Sequence, residues 1–425
     1  MVMPPVLILT GIYFAFRLRG FYILHPIHTL RLMTARRGDG ISPFRAATMA
    51  LAGTLGVGNI TGVVSAIAMG GAGAIFWMWV SALAAMSLKY AETFLAVRYR
   101  RRDKDGYYGG APYYMDGGLK TGCARNVGAF FAVLCVCNSF TVGGILQVNA
   151  AARSASDVTG LPPYAVGIAL AVLTLLAVTG GAKRITDVTV WMIPAVSAIY
   201  ITMCAVVIFI NRAAVPSAIT AIFSSAFSAR AVGGGVGGSA IAMAVRYGVT
   251  RGVVTNEAGA GTSPTAHACA DAASPEAQGC LGIFEVFADT ILICTLTALA
   301  ALTSGISFSS DAMADSTNIF ASSLGGGAGA LLSLCVFVFV LATLFSQHYY
   351  ARIALRFLGG GRRAVFVLTL LFAAMIIIGS EMAPPTVWVA ADITVGAMTL
   401  CNAVCLFSLR HEITSPLKAG DTSPK

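Results

Sequence analysis

The sequence predicts an all-α polytopic membrane protein made of two five-span halves related as inverted repeats, with an extra short helix at the N-terminus. Three observations carry this reading. Hydrophobic residues fill 57% of the 425 positions and charged ones only 11%, at a mean hydropathy of +0.80, whereas soluble domains carry roughly 25% charged residues. Ten strong apolar segments approach or exceed the length needed to cross a bilayer, five on each side of a Gly/Ser-rich linker at 213–236. The first segment of each half is interrupted by glycines, and an odd number of spans per half inverts one half against the other.

In chain order, Pro4 to Phe16 is apolar but only about thirteen residues long, short of the roughly 20 a span needs. No small-residue cleavage site follows it, and Arg17, Arg19, Arg31, Arg36 and Arg37 come next, which disfavours a signal peptide. A short or truncated first helix and a basic loop are therefore expected over 1–41. Ser42–Pro43 supply an N-cap and a first-position proline for a segment running to about Gly70. Further segments lie at 73–97, 126–152, 164–180 and 185–211, closing the first half at 212. The second half, 237–409, holds 237–270, 279–303, 328–352, 364–380 and 386–409, and 410–425 form a tail. No soluble domain is expected.

The net charge of +10 raises nucleic acid as a partner, but its distribution gives a membrane reason. If the first short segment runs from outside to inside, the loops falling inside hold 21 Lys/Arg and those falling outside hold three, Arg153, Arg212 and Arg230. The positive-inside rule then places the N-terminus outside and the C-terminus in the cytoplasm. The ten cysteines lie mostly within apolar runs, with no CxxC pair and no Cys/His spacing for zinc. They read as small packing residues, and no cofactor is expected. Neither HExxH nor GxSxG occurs, so nothing points to a membrane-embedded hydrolase; the chain is expected not to be an enzyme.

The first interruption is LAGTLGVGNITG at 51–62, where glycines and Thr54, Asn59 and Thr61 sit inside an apolar span. A carbonyl freed in hydrocarbon costs several kcal/mol unless protein, water or an ion satisfies it. Two half-helices meeting at mid-membrane offer such carbonyls to cations and a positive N-terminus to anions. Close packing of small residues is the alternative for this stretch alone. The second half repeats the pattern: residues 237–270 carry Gly248, Gly252, Gly259 and Gly261 with Arg246, Arg251, Asn256 and Glu257. Paired interruptions favour a transport site with alternating access. A channel would instead need a continuous polar lining.

Ionisable residues within spans are costly and tend to pair. Lys89 and Glu92, three apart on one helix, can pair on one face. Arg251, Glu257, Glu285 and Asp289 are expected to link the second broken helix to the span at 279–303, in a structural or gating role or as ion ligands. His267 and His348 read as packing residues rather than proton carriers.

The chain resembles the alanine or glycine:cation symporters, also called the sodium:alanine symporter family. The matching stretches are ISPF and GTLGVGNITGVVSAIAMGGAGAIFWMW within 41–79, KYAETFLAVRYR at 89–100, GGAKRI at 180–185, RYGVTRGVVTNEAGAGTSPTAHA at 246–267 and QGCLGIFEVFADTILICTLTAL at 278–299. Weaker matches are LATLFSQHYY and VWVAADITVGAMTLCN. The resemblance covers nearly the whole chain and implies a LeuT-type fold with sodium-coupled uptake of small neutral amino acids, chiefly alanine and glycine, across the cell membrane. It departs at Val57, where family members usually carry a second threonine, and at the N-terminus, which is longer in the family.

Sodium prefers several oxygen ligands. Carbonyls around Gly53 and Gly56, with the hydroxyls of Thr343 and Ser346 on one helical face, suit this coupling ion; hydroxyl back-bonding to the preceding turn is the alternative. The resemblance places the sodium site between these two helices. It also puts Thr54, Val57, Gly58, Gln147, Tyr247 and Thr343 around the amino acid. Amides beside Gly56, Gly58 and Asn59 suit a carboxylate, and Gln147 suits either charge or holds helices together. Tyr247, beside Gly248 at the second break, would wall the pocket and with Val57 keep it small. A proton-coupled amino-acid permease is the alternative, depending on a carboxylate rather than on Thr343 and Ser346.

Overall fold

The structure is a computed structural model and describes residues 3–33, 40–104, 106–227, 238–382 and 384–414. The main helices are α1 (Met3–Arg17), α2 (Pro43–Thr54), α3 (Val63–Gly70), α4 (Gly73–Arg98), α5 (Ala124–Phe140), α6 (Leu146–Thr159), α7 (Pro163–Val178) and α8 (Gly181–Ile210). There follow α9 (Val215–Phe227), α10 (Gly238–Asn256), α11 (Pro275–Val286), α12 (Thr295–Thr303), α13 (Ala312–Leu324), α14 (Ala328–Phe357), α15 (Arg362–Ser380) and α16 (Pro384–Ser408). A short antiparallel hairpin, β1 (Arg101–Asp103) with β2 (Gly106–Tyr108), follows α4.

Helix occupies each of the ten apolar segments, but not every one is a full-length continuous span. Among the described residues six helical stretches are long and apolar enough to cross a membrane, and α2 with the helix that follows it makes a seventh across a 57° bend. The segment at 164–180 forms only the 16-residue α7, because Pro162 and Pro163 fix its start. The segment at 237–270 stops being helical at Asn256. The terminal part of α16 is apolar but short. The chain is thus a helical polytopic membrane protein, with its outer faces carrying exposed Phe130, Trp191, Leu370 and Leu371.

The expected linker contains a helix. In α9, Ala218, Ile222 and Ala226 are buried at i, i+4 and i+8, the spacing of one helical stripe, and the stripe packs on α4. There the Trp77 indole donates to the Ala226 carbonyl at 3.2 Å. Residues 228–237 of that linker lie outside the described residues, as do the arginines at 36 and 37 and the tail from 415.

α4 is the hub on which α1, α9, α10 and α11 pack. Glycines make the closest of these approaches. A Cβ at Gly248 would lie 2.2 Å from the Ala74 carbonyl oxygen, and one at Gly252 2.7 Å from Ser81 Oγ, so α10 runs against α4 backbone to backbone. On the other side α14 packs against α2, α5, α6 and α8. The two broken segments lie between these groups.

Candidate functional site

α2 opens as the sequence predicts, with Ser42 Oγ accepting the Arg45 amide and Pro43 in the first turn. It ends at Thr54, after which Leu55 is extended (φ −68°, ψ 110°). A wide π-helical turn, Gly58–Gly62, then leads into α3. The break redirects two amides. Gly56 N donates to Asn59 Oδ1 at 2.9 Å, and Val57 N to Gln147 Oε1 at 3.0 Å. A continuous helix would send them to the carbonyls of Ala52 and Gly53, so those two oxygens are left without their helical donors. Leu55 O, whose i+4 amide turns to Gly56 O, accepts the Thr343 hydroxyl at 3.2 Å. One turn away, Ser346 Oγ donates to Met49 O at 2.8 Å. Both hydroxyls of α14 thus face α2, although Thr343 also back-bonds to Phe339 O at 3.0 Å.

The second break lies at NEAGAGTS, 256–263. Glu257, Gly259 and Gly261 have φ of 49°, 85° and 73°, left-handed conformations that end a helix and that glycine tolerates best. A cluster of fully buried polar side chains receives the unwound strand. Glu92 accepts Gly259 N at 3.2 Å, and Asn402 donates to Gly259 O at 3.0 Å and to Glu92. Tyr114 donates to Asn402 at 2.5 Å. Glu257 accepts from Gln347 at 2.9 Å and from Thr262. Lys89 Nζ reaches Ser263 Oγ at 2.6 Å and Glu285 at 3.3 Å, and Glu285 meets His267 Nε2 at 2.9 Å. The chain continues from His267 to Gln278 at 2.8 Å and from Gln278 to the Pro43 carbonyl at 3.3 Å.

A second relay joins the breaks directly. Asn59 Nδ2 donates to Asp289 Oδ1 at 2.7 Å, and Asp289 Oδ2 accepts Thr290 Oγ1 at 2.7 Å. Asn256 Nδ2 meets Thr290 Oγ1 at 3.1 Å, while Asn256 Oδ1 accepts the Ala258 amide at 3.0 Å. Asp289 and Thr290 lie in a π-helical stretch, Phe287–Cys294, between α11 and α12; wide turns of this kind are frequent at functional sites. Gly58 permits the closest approach of the two segments, since a Cβ there would lie 3.0 Å from Thr255 Cγ2.

The site is closed towards both ends. Thr54, Val57, Gly58 and Asn59 are buried. At the arginine-rich end Arg45 of α2 pairs with Asp187 of α8 at 2.5 Å. Towards the other end Arg153 of α6 pairs with Asp311, the N-cap of α13, at 2.7 Å.

Several placements differ from the sequence reading. Tyr247 and Gly248 are not at the second break: Tyr247 is eight residues ahead of Thr255, about 12 Å along a helix, and is only half-buried. α10 continues past Gly248 and Gly252 because these glycines serve its contact with α4. Lys89 and Glu92 do not pair with each other; Lys89 turns to Glu285 and Glu92 to the unwound backbone. Glu257 reaches Gln347 on α14 rather than the neighbouring span. The hydroxyl of Thr54 is spent on Ala50 O and Leu51 O. Gly53 packs under Tyr350, whose hydroxyl oxygen would lie 2.6 Å from a Cβ. Arg251 stays half-buried on α10. His267 sits within the polar relay, and His348 bonds Thr369 at 2.9 Å.

The sequence profile of the sodium:alanine symporter family matches residues 1–421. The chain belongs to this family. It is 33% identical to the sodium/alanine symporter AgcS of Methanococcus maripaludis over 98% of its own length and 94% of that protein. It is likewise 33% identical to the probable sodium/glutamine symporter GlnT of Bacillus subtilis, over 96% of this chain and 85% of the relative. The solved manganese transporter of Eremococcus coleocola shares the fold, with a TM-score of 0.54 at 14% identity over 88% of this chain and 79% of that one. Members of the sodium:alanine symporter family are membrane transporters, which fits one broken helix and one unwound segment around a buried polar centre.

Missing from the sequence reading were Asn402, Gln347, Gln278, Tyr114 and Thr290. Asn402 and Gln347 carried a signal, since each is an uncharged polar residue inside a long apolar span, where satisfying it demands a partner.

Proposed function

We propose that this chain is a sodium-coupled symporter that brings small neutral amino acids, alanine and glycine, into the cell by alternating access. The observation that carries the reading is the oxygen cluster where α2 ends. The carbonyls of Ala52 and Gly53 have lost their helical donors, and Thr343 Oγ1 lies 3.2 Å from the Leu55 carbonyl. Neutral oxygens from two packed helices suit a desolvated monovalent cation. In this reading sodium takes these oxygens from both helices, with Ser346 following on the same face, so the ion clamps α14 to the first break.

The amino acid occupies the neighbouring amides. Gln147 Oε1 holds the Val57 amide, and Asn59 Oδ1 holds that of Gly56, where a substrate carboxylate would bind. On binding, the carboxylate displaces Gln147 from Val57, and the freed amide oxygen accepts from the substrate ammonium. Thr255 against Gly58 leaves little volume, which favours alanine and glycine over branched or aromatic side chains. Burying one methyl contributes about 0.8 kcal/mol, so alanine and glycine are comparable substrates. Val57 offers no hydroxyl, so serine is poorer.

The proposed architecture is a LeuT-type repeat, α2 to α8 against α10 to α16, with the N-terminus outside and the C-terminus in the cytoplasm. Opening to the cytoplasm then requires parting Arg45 from Asp187, and opening outward requires parting Arg153 from Asp311. Proteoliposomes that take up labelled alanine under a sodium gradient, but not under a proton gradient alone, support the reading. Uptake that follows the proton gradient and ignores sodium sinks it in favour of a proton-coupled permease.

A further inference from the structure

A cavity of about 760 Å³ opens at the arginine-rich end, away from the broken helices, between the β1–β2 hairpin, the start of α8, the end of α14 and the start of α15. Five cations line it: Lys104, Lys183, Arg352, Arg356 and Arg362. Among the described residues only Arg356 has an acidic partner, Asp103 at 2.6 Å, and it also stacks on Tyr108 with its guanidinium 3.7 Å from the ring centre. The other four form no ion pair among the described residues. Arg352 reaches across the opening so that its Nη1 lies 3.5 Å from a Cβ placed on Gly181, the first residue of α8.

Two helix N-termini add to this positive field. α8 begins at Gly181 and α15 at Arg362, and neither has a side-chain cap or an acid in its first turn. Their leading amides point outward with the positive ends of their dipoles. Four cations with no ion pair among the described residues and two uncapped helix starts give this one cavity a positive field that attracts an anion. The chemistry best matched to several lysines, arginines and backbone amides together is a phosphate group.

The walls leading from the cavity are apolar. α7 ends at its rim and packs on α15, and their outer faces expose Leu173, Leu176, Phe366 and Leu370. A basic pocket between helices, continuous with such a surface, has the form of a lipid headgroup site. We propose that this cavity binds a phosphate-bearing anion, the headgroup of an anionic phospholipid whose acyl chains lie along α7 and α15.

The test uses the full chain purified in neutral detergent, titrated separately with phosphatidylglycerol, phosphatidylcholine and inorganic phosphate. The thermal unfolding midpoint and the lipid retained by intact-protein mass spectrometry are read together. Phosphatidylglycerol should raise the midpoint and remain bound, and phosphatidylcholine should not. Two independent double variants, Lys183→Gln with Arg352→Gln and Lys104→Gln with Arg362→Gln, should each weaken phosphatidylglycerol binding at least tenfold. If one of them fails to fold, the other still decides. Inorganic phosphate that stabilises as strongly as the lipid, and loses this effect in the variants, supports the phosphate site with a soluble ligand as its source. Phosphatidylglycerol binding equal to that of phosphatidylcholine, or unchanged in a folded variant, overturns the proposal.

Discussion

Asn59 donates its side-chain amide to the Asp289 carboxylate at 2.7 Å and accepts the Gly56 amide at 2.9 Å, so one side chain ties the first broken helix to the π-helical stretch between α11 and α12. Asn59→Ala removes both bonds at a fully buried site. Leaving a buried donor or acceptor unsatisfied costs about 1–3 kcal/mol each. Alanine uptake should fall more than tenfold while the protein still reaches the membrane, and Asn59→Asp should not restore it because it sets two carboxylates side by side. Wild-type uptake by Asn59→Ala would remove this residue from the site.

Gln147 holds the Val57 amide at 3.0 Å and is assigned the substrate ammonium once displaced. Gln147→Ala loses a hydrogen bond of about 1 kcal/mol, and so the KM for alanine should rise roughly fivefold with the sodium dependence retained. An unchanged KM would show that Gln147 only holds helices together.

The first break was legible in sequence because its glycines surround polar residues inside an otherwise apolar span, and the structure bends the chain there. The second was legible as a segment but not as a position. Gly248 and Gly252 look like helix breakers, yet a helix tolerates each at about 1 kcal/mol when the missing Cβ permits contact with a neighbour. What ends α10 is the left-handed run at Glu257, Gly259 and Gly261, and tertiary bonds from Glu92, Gln347 and Asn402 hold it there. Those partners lie up to 167 residues away in sequence, beyond the reach of local pattern. The Lys89–Glu92 spacing misled for the same reason: helical neighbours can pair, but an unwound backbone competed for Glu92.

Lys89 and Glu285 are both fully buried and 3.3 Å apart. Removing one partner of such a pair strands a charge at about 3–5 kcal/mol. Lys89→Met should therefore lower the thermal midpoint of the detergent-solubilised protein sharply, and adding Glu285→Gln should recover part of the loss. Equal destabilisation by the double variant and by the sum of the singles would mean that the pair is not coupled.

The proposed orientation puts the loop between α4 and α5 in the cytoplasm, and that loop carries the exposed Cys123. An impermeant maleimide should leave Cys123 unmodified in intact cells and label it in inside-out vesicles, as located by peptide mass spectrometry. Labelling in intact cells would reverse the topology.

The central claim is that sodium binds where Thr343 meets the freed carbonyls of α2 and that its gradient drives transport. The direct measurement is initial uptake of labelled alanine into proteoliposomes under an imposed sodium gradient, comparing wild type with the Thr343→Ala, Ser346→Ala double variant. The account predicts sodium-driven accumulation by the wild type, and loss of sodium stimulation by a variant that remains folded and reconstituted. Full sodium-driven accumulation by the double variant would contradict it.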